Sequence, residues 1–255
     1  KVKENWRGSD IAIRNFGYNN KDDGRETAQE MVTDTDGVIL RQTRLPGDRR
    51  MLVILTRRFG KISAGTGIRT NGKNKSALAL RVFTHGKYEI FHGRTSFSLN
   101  AAETLESYYK IGEDVDKYMY ASYALEFTEK ILQEEEPAER VLDMLLDLLR
   151  LISVRKTKLQ SLIVMYQWKL VDICGYMPSL HGCARCGRPE SEITPGGLSV
   201  VDGGLVCMDC IKSGTVNMRL LYRNKFDIIR ILDFIRVNDM RSLGKLALKD
   251  DVSAY

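Results

Sequence analysis

Four of the five cysteines fall into two pairs, Cys183-Ala-Arg-Cys186 and Cys207-Met-Asp-Cys210, separated by twenty residues. A Cys-x-x-Cys pair folds into a tight knuckle that presents two sulfurs, and two knuckles at this distance are the arrangement of a four-thiolate zinc site. Gly187 directly after Cys186 eases the knuckle turn, and Leu198-Ser-Val-Val-Asp-Gly-Gly-Leu-Val reads as a hairpin turning at Asp202-Gly203-Gly204, the layout of a zinc ribbon. The rival chemistries are two disulfides or a redox pair. Disulfides need an oxidising compartment, which no secretory leader in this chain announces, and a thioredoxin-type site uses one pair rather than two. Four thiolates leave a metal no open position, so the expected Zn2+ is structural. His181 is excess to a filled tetrahedron, and Cys174, on an apolar helix, is expected to be a buried inert thiol.

A second chemistry is carried by charge. The chain has 255 residues and a net charge of +6, which hides a sharp segregation. From Arg41 to Arg94 thirteen basic residues stand against two acidic ones, a formal +11; from Ala101 to Arg150 five basic residues stand against thirteen acidic, a formal −8. A solvated face mixes signs, so the first stretch is expected to meet a polyanion. Arg57, Arg58 and Lys61 cluster at one strand end, and Arg69, Lys73 and Lys75 follow in a loop with Asn71 and Gly72. With Arg41 these are the candidate nucleic-acid contacts, and the family resemblance described below makes that ligand DNA. Phe83, Phe91 and Phe97 read as core residues.

Catalytic signatures are sparse. There is no Gly-x-x-x-x-Gly-Lys-Ser/Thr loop, Gly65-Thr-Gly67 lacks the third glycine of a dinucleotide fingerprint, and only His85, His92 and His181 could serve as histidine acid–base groups. The carboxylates read as solvated helix faces. The expectation is a binding protein, not an enzyme. No run is apolar enough to span a bilayer and no leader opens the chain, so no membrane is expected and a cytoplasmic location is.

The elements that must position these residues change texture along the chain. Gly37–Leu40, Met51–Leu55, Ile62–Ala64, Leu78–Phe83, Tyr88–Phe91 and Thr95–Leu99 read as short strands, with His85-Gly86-Lys87 as a hairpin turn. So many short strands turned by glycines suit a small closed barrel. From Asn100 the period becomes helical: Asn100 to Glu103 reads as a capping-box start, Val115–Gln133 as an amphipathic helix after Asp114, and Pro137 as a first-turn residue. In Val141–Ile152 only Asp143, Asp147 and Arg150 are polar, which marks a helix central to a bundle. Leu159–Ile173 and Leu220–Val237 are further amphipathic stretches. The expected class is α+β: a segment and linker over 1–30, a small closed β-barrel over 31–108, and a helical domain over 109–255 with the zinc module inserted at 181–213; the family resemblance that these parts carry together implies that the barrel is an OB-fold.

Barrel, acidic bundle and inserted zinc ribbon, in this order, resemble the RecO family of recombination mediators. The resemblance is carried by Gly37-Val-Ile-Leu-Arg-Gln-Thr43, Leu55-Thr-Arg-Arg-Phe-Gly-Lys-Ile-Ser63, Phe91-His-Gly-Arg94, Leu105-Glu-Ser-Tyr-Tyr109 and the Cys183–Cys210 module, and runs from Met31 to the end. It implies binding to single- and double-stranded DNA, annealing of complementary strands, and help for RecA in loading onto strands coated by single-strand-binding protein, with RecR as partner and RecF involved indirectly. It also implies a contact with the acidic C-terminal tail of single-strand-binding protein, for which Arg155, Lys156, Lys158 and Trp168 are candidate contributors. In some members of the family the cysteine pairs are lost; here all four are present. Residues 1–18, with Lys1-Val-Lys-Glu-Asn-Trp-Arg7 and Asp10-Ile-Ala-Ile-Arg-Asn-Phe-Gly-Tyr18, resemble the C-terminal end of an Era-type GTPase KH domain. The origin expected is either a natural fusion or a reading frame running through a gene junction, the second favoured with Met31 as the internal start, and the far end is expected to stop early. The rivals are an RNA- or ribosome-associated OB/zinc-ribbon protein, favoured by that Era-like piece, and a zinc-dependent hydrolase, disfavoured by the closed cysteine set.

Overall fold

The computed structural model describes residues 31–47, 49–68, 75–223 and 228–249. The Era-like stretch, Arg69 and Lys73 lie outside them, as does the side chain of Lys75. Five strands form a closed barrel in the order β1-β2-β3-β5-β4, with β4 returning to β1. They are β1 (Met31–Arg44), β2 (Arg50–Thr56), β3 (Gly60–Thr66), β4 (Thr84–His92) and β5 (Phe97–Ser107), with the short helix α1 (Lys75–Ala79) between β3 and β4.

The apolar runs of β1 and β2 do not alternate because both faces of these strands are covered. Ile39, Leu52 and Ile54 fill the barrel with Ile62, Tyr88, Ile90, Phe97 and Leu99. Their neighbours Val38, Leu40, Val53 and Leu55 point outward, into one continuous core shared with the helices. A continuous apolar strand is the signature of such double burial. At Gly37 the backbone of Leu55 passes so close that no side chain would fit.

The helical half comprises α2 (Val115–Ile131), α3 (Glu139–Val154) and α4 (Leu159–Ile173), closed by α6 (Ile228–Val237) and α7 (Met240–Leu243). Asp114 caps α2, its side chain accepting from the Lys117 amide at 3.0 Å. Helix α3 is the most enclosed, burying Leu142, Leu145, Leu148, Leu149 and Ile152. Between α4 and α6 sits the small module: β6 (Pro195–Ser199), β7 (Gly204–Cys207), the short helix α5 (Met208–Lys212) and β8 (Leu221–Arg223), in a sheet ordered β7-β6-β8. The β6–β7 hairpin turns through Gly203 at φ +69°.

Four expectations about elements are corrected. Leu78–Phe83 is not a strand: Leu78 and Ala79 end α1, and Ala79 and Leu80 plug the barrel, with the Tyr88 hydroxyl donating to the Ala79 carbonyl at 3.1 Å. His85-Gly86-Lys87 is not a turn but the interior of β4, paired with β1 through Asp36–Val38. Asn100–Glu103 does not start a helix; β5 runs on to Ser107 because β4 offers a pairing edge along its whole length, with two register shifts that curve the ladder. The front of Leu220–Val237 carries β8 (Leu221–Arg223), paired to β6, and among the described residues of this span the α-helix is Ile228–Val237. Phe97 is core as expected; Phe83 is buried in the shared core at φ +60°, off any strand, and Phe91 is half-buried.

Candidate functional site

The four cysteines converge. Cys183–Cys186 form a knuckle in which the Gly187 amide donates to the Cys183 carbonyl at 2.8 Å, and Gly187 sits at φ +74°, where a glycine is needed. Cys207 ends β7 and Cys210 lies in α5, so the second knuckle is a strand-to-helix corner with the Cys207 Sγ accepting from the Cys210 amide. All four Sγ atoms lie within 4.8 Å of one another, and together they can hold one metal ion. The Cys183–Cys210 and Cys186–Cys207 separations are 3.9 and 4.0 Å, and all four are free thiols.

The Cys186 sulfur is biased toward thiolate by Arg188, which the spacing argument did not single out. Its guanidinium donates to Cys186 Sγ at 3.5 Å and Cys207 Sγ at 3.4 Å while anchored on Asp209 at 2.8 Å. That contact draws the Cys186 thiol down to about 6, whereas burial pushes Cys210 up to about 12. His181 is outside the set, as expected, between Glu190 at 3.0 Å and Asp233 at 3.4 Å. Cys174 is half-buried at the end of α4, its thiol raised by burial, beside a cavity of about 470 Å³ under the α2–α3 connection.

The basic stretch divides in two. Arg57 faces the bundle: it makes a bidentate pair with Asp36 at 2.9 and 3.1 Å and reaches Glu139 at 3.1 Å and Asp143 at 2.9 Å. Asp36 also meets His85 at 2.8 Å. Burial pushes the Asp36 carboxyl up, but the hydrogen bonds from Arg57 and His85 outweigh it and hold the group below its ordinary value. Arg41 pairs with Glu129 at 2.8 Å, and Lys61 Nζ donates to the Glu129 carbonyl at 2.9 Å. Part of the charge segregation along the chain is therefore the two halves of one intramolecular interface.

A second group of arginines faces solvent. Arg44, Arg49, Arg58, Arg81 and Arg94 are exposed and have no carboxylate partner among the described residues. Of these only Arg58 was singled out from the sequence; the run Leu45-Pro-Gly-Asp-Arg-Arg50, a charged turn between two strands, was the signal for Arg49. A groove of about 380 Å³ runs beside that turn. It exists because β3 and β5 pair only at Ala64–Phe97 and Gly65–Ser98 and then part, leaving Gly65 and Gly67 open opposite Ser98 and Asn100, with Arg49 and Arg50 at the rim.

Two of the four candidates for a tail contact, Arg155 and Trp168, make bonds within the bundle. Arg155 donates to the carbonyls of Thr157, Gly244 and Leu246, clamping the segment after α7, and Trp168 Nε1 donates to the Leu232 carbonyl at 3.1 Å between α4 and α6. Lys156 is exposed.

No helix among the described residues is long and apolar enough to cross a membrane. Comparison with known proteins gives the same division as the architecture. Residues 31–108 match the family described as "Recombination protein O N terminal" and residues 112–253 that described as "Recombination protein O C terminal". Among similar proteins, the DNA repair protein RecO of Alkaliphilus metalliredigens is 30% identical over 221 residues, 85% of each chain. That of Symbiobacterium thermophilum is 30% identical over 228 residues, covering 87% of this chain and 90% of the relative. That of Listeria monocytogenes is 26% identical over 222 residues, 86% of this chain and 83% of the relative. With both halves matched in order, and two relatives at this identity along most of their length, the chain belongs to the RecO family.

Proposed function

We propose that this protein is a non-enzymatic DNA repair and recombination mediator, acting in the cytoplasm, that binds single- and double-stranded DNA and anneals complementary strands. With RecR it would assist RecA in loading onto DNA coated by single-strand-binding protein. The observation that carries the reading is the set of exposed, carboxylate-free arginines on the barrel, Arg44, Arg49, Arg58, Arg81 and Arg94. Each phosphate neutralised by such a residue releases condensed counterions, which drives binding without covalent chemistry and screens the repulsion between two strands that must pair. The strand order, with a helix between β3 and β4, supports an OB-type barrel, a common single-strand binder. Lys61, Arg57 and Arg41 would then serve the barrel–bundle interface, while Arg58 remains a DNA contact.

For the four-cysteine centre we infer Zn2+. A zinc ion with bonds of about 2.3 Å to four sulfurs sets them about 3.8 Å apart, close to the two separations seen. Bound there, zinc would hold a small module together and offer no reactive position. Cys183, Cys186, Cys207 and Cys210 would hold it, with Arg188 offsetting thiolate charge.

The test is annealing. Two complementary oligonucleotides coated with single-strand-binding protein are mixed with the full chain, and duplex formation is followed. Acceleration that is lost when Arg49, Arg58 and Arg94 are changed to Glu supports the proposal. No acceleration with DNA still bound reduces it to a generic binder, and preference for RNA over DNA of the same sequence overturns it.

A further inference from the structure

Three aromatic side chains close the mouth of the barrel opposite α1. Phe97, first residue of β5, points inward and is buried. The His92 imidazole, from the last residue of β4, lies flat on it, with ring centroids 4.4 Å apart and planes 10° from parallel. Phe59, from the β2–β3 turn, meets both at a slant, 5.6 Å from Phe97 and 6.2 Å from His92. Rings packed this closely are usually covered, yet His92 is exposed. It is a planar group with one face held by Phe97, in a residue that is exposed to solvent.

Its surroundings suit a polyanion with a flat attachment. Arg94 is two residues away in the β4–β5 turn and Arg58 adjoins Phe59; both are exposed without a carboxylate partner among the described residues. Ser98, next after Phe97, lines the groove rimmed by Arg49 and Arg50, so groove and ring stack share the first residues of β5. Base–aromatic stacking accepts every base, because each has a π face, and a ring already fixed in orientation loses little entropy on binding.

We propose that the His92 imidazole, backed by Phe97 and Phe59, is a stacking platform for one unpaired base of a DNA strand whose phosphates are held by the arginines of the groove and turns. The proposal rests on the reading of the barrel as the DNA-binding face and adds to it a source of strand selectivity. A base inside a duplex has both faces occupied and gains nothing from the platform, so His92 favours single strands over duplex.

The experiment compares three ligands by fluorescence anisotropy on the full chain: a single-stranded oligonucleotide, the same strand with a run of abasic sites, and its duplex. Wild type is expected to bind the abasic strand about tenfold more weakly than the intact one. His92→Ala should bind the intact strand as weakly as wild type binds the abasic one. His92→Phe, which keeps a flat ring, should restore discrimination, and all three proteins should bind duplex alike. Because the abasic comparison uses wild type, it stands even if His92→Ala folds poorly. Equal wild-type binding to intact and abasic strands overturns the platform while leaving the barrel as a phosphate binder. Discrimination that persists in a folded His92→Ala moves stacking to another ring. Wild type that binds no DNA removes the reading of the barrel, and the platform with it.

Discussion

Replacing Arg57 by Ala tests whether the charge segregation along the chain serves the protein's own interior surface. The guanidinium faces three carboxylates, two of them 82 and 86 residues away on α3. Its bidentate pair with Asp36 is the better shielded, with side-chain exposures of 32% and 22%, whereas Glu139 and Asp143 are 65% and 59% exposed. A charge-assisted pair at the first site contributes about 1.5–2 kcal/mol, and each solvent-screened pair only about 0–1 kcal/mol. The variant should lose about 2–3 kcal/mol, a fall in Tm of about 5–10 °C for a chain of this size. Thermal melting would be followed for wild type, Arg57→Ala, Asp143→Ala and the double variant, alongside the salt dependence of DNA binding. Non-additive losses locate the interaction at the barrel–bundle contact. In contrast, Arg58→Ala should melt normally and flatten the salt slope by about one phosphate. If Arg57→Ala melts within about 1 °C of wild type but flattens the salt slope as Arg58→Ala does, the interface reasoning is refuted and Arg57 is a phosphate contact.

Purified protein should carry one zinc ion per chain by elemental analysis, and Co2+ exchanged into the site should show thiolate charge-transfer absorption; an ion content unchanged in Cys186→Ser together with Cys207→Ser would place the metal elsewhere. Arg188→Ala should weaken zinc binding about 10- to 100-fold in competition with a chelating dye, since its donors to two sulfurs are lost; an unchanged affinity would reduce Arg188 to a surface pair with Asp209. Asp36, whose carboxyl is held low in the folded state, stabilises the protein above the unfolded carboxylate value of about 4, and this is lost as pH falls through the lower folded value. Melting measured down to about pH 3 should show a steeper acid loss in wild type than in Arg57→Ala, and parallel curves would contradict that assignment.

The cysteine centre was legible because ligand spacing is local: two knuckles and a hairpin turn encode it within 28 residues, Cys183 to Cys210. The strands β2 and β3 and the helices α2, α3 and α4 were legible for a related reason, their apolar periods being strong. What failed depended on distant partners. Asn100 to Glu103 has a capping-box pattern, yet the unpaired edge of β4 outcompetes a helix start. Leu78–Phe83 has strand composition, but the barrel needs a plug at that end. Arg57 and Arg58 are adjacent and identical in type, and only folding shows that one turns to α3 and the other to water.

The outward faces of β1 and β2 are half of the helical core, through Val38, Leu40, Val53 and Leu55. Two binding modules on a flexible tether would sample a volume, and each would act on the other only at the effective concentration the linker sets. Here no tether intervenes. On the proposed reading, a strand held on the barrel and any partner gripped by the bundle would be mounted on one frame. Their separation would be a built-in length rather than an average, so a pull on one would be felt by the other without slack.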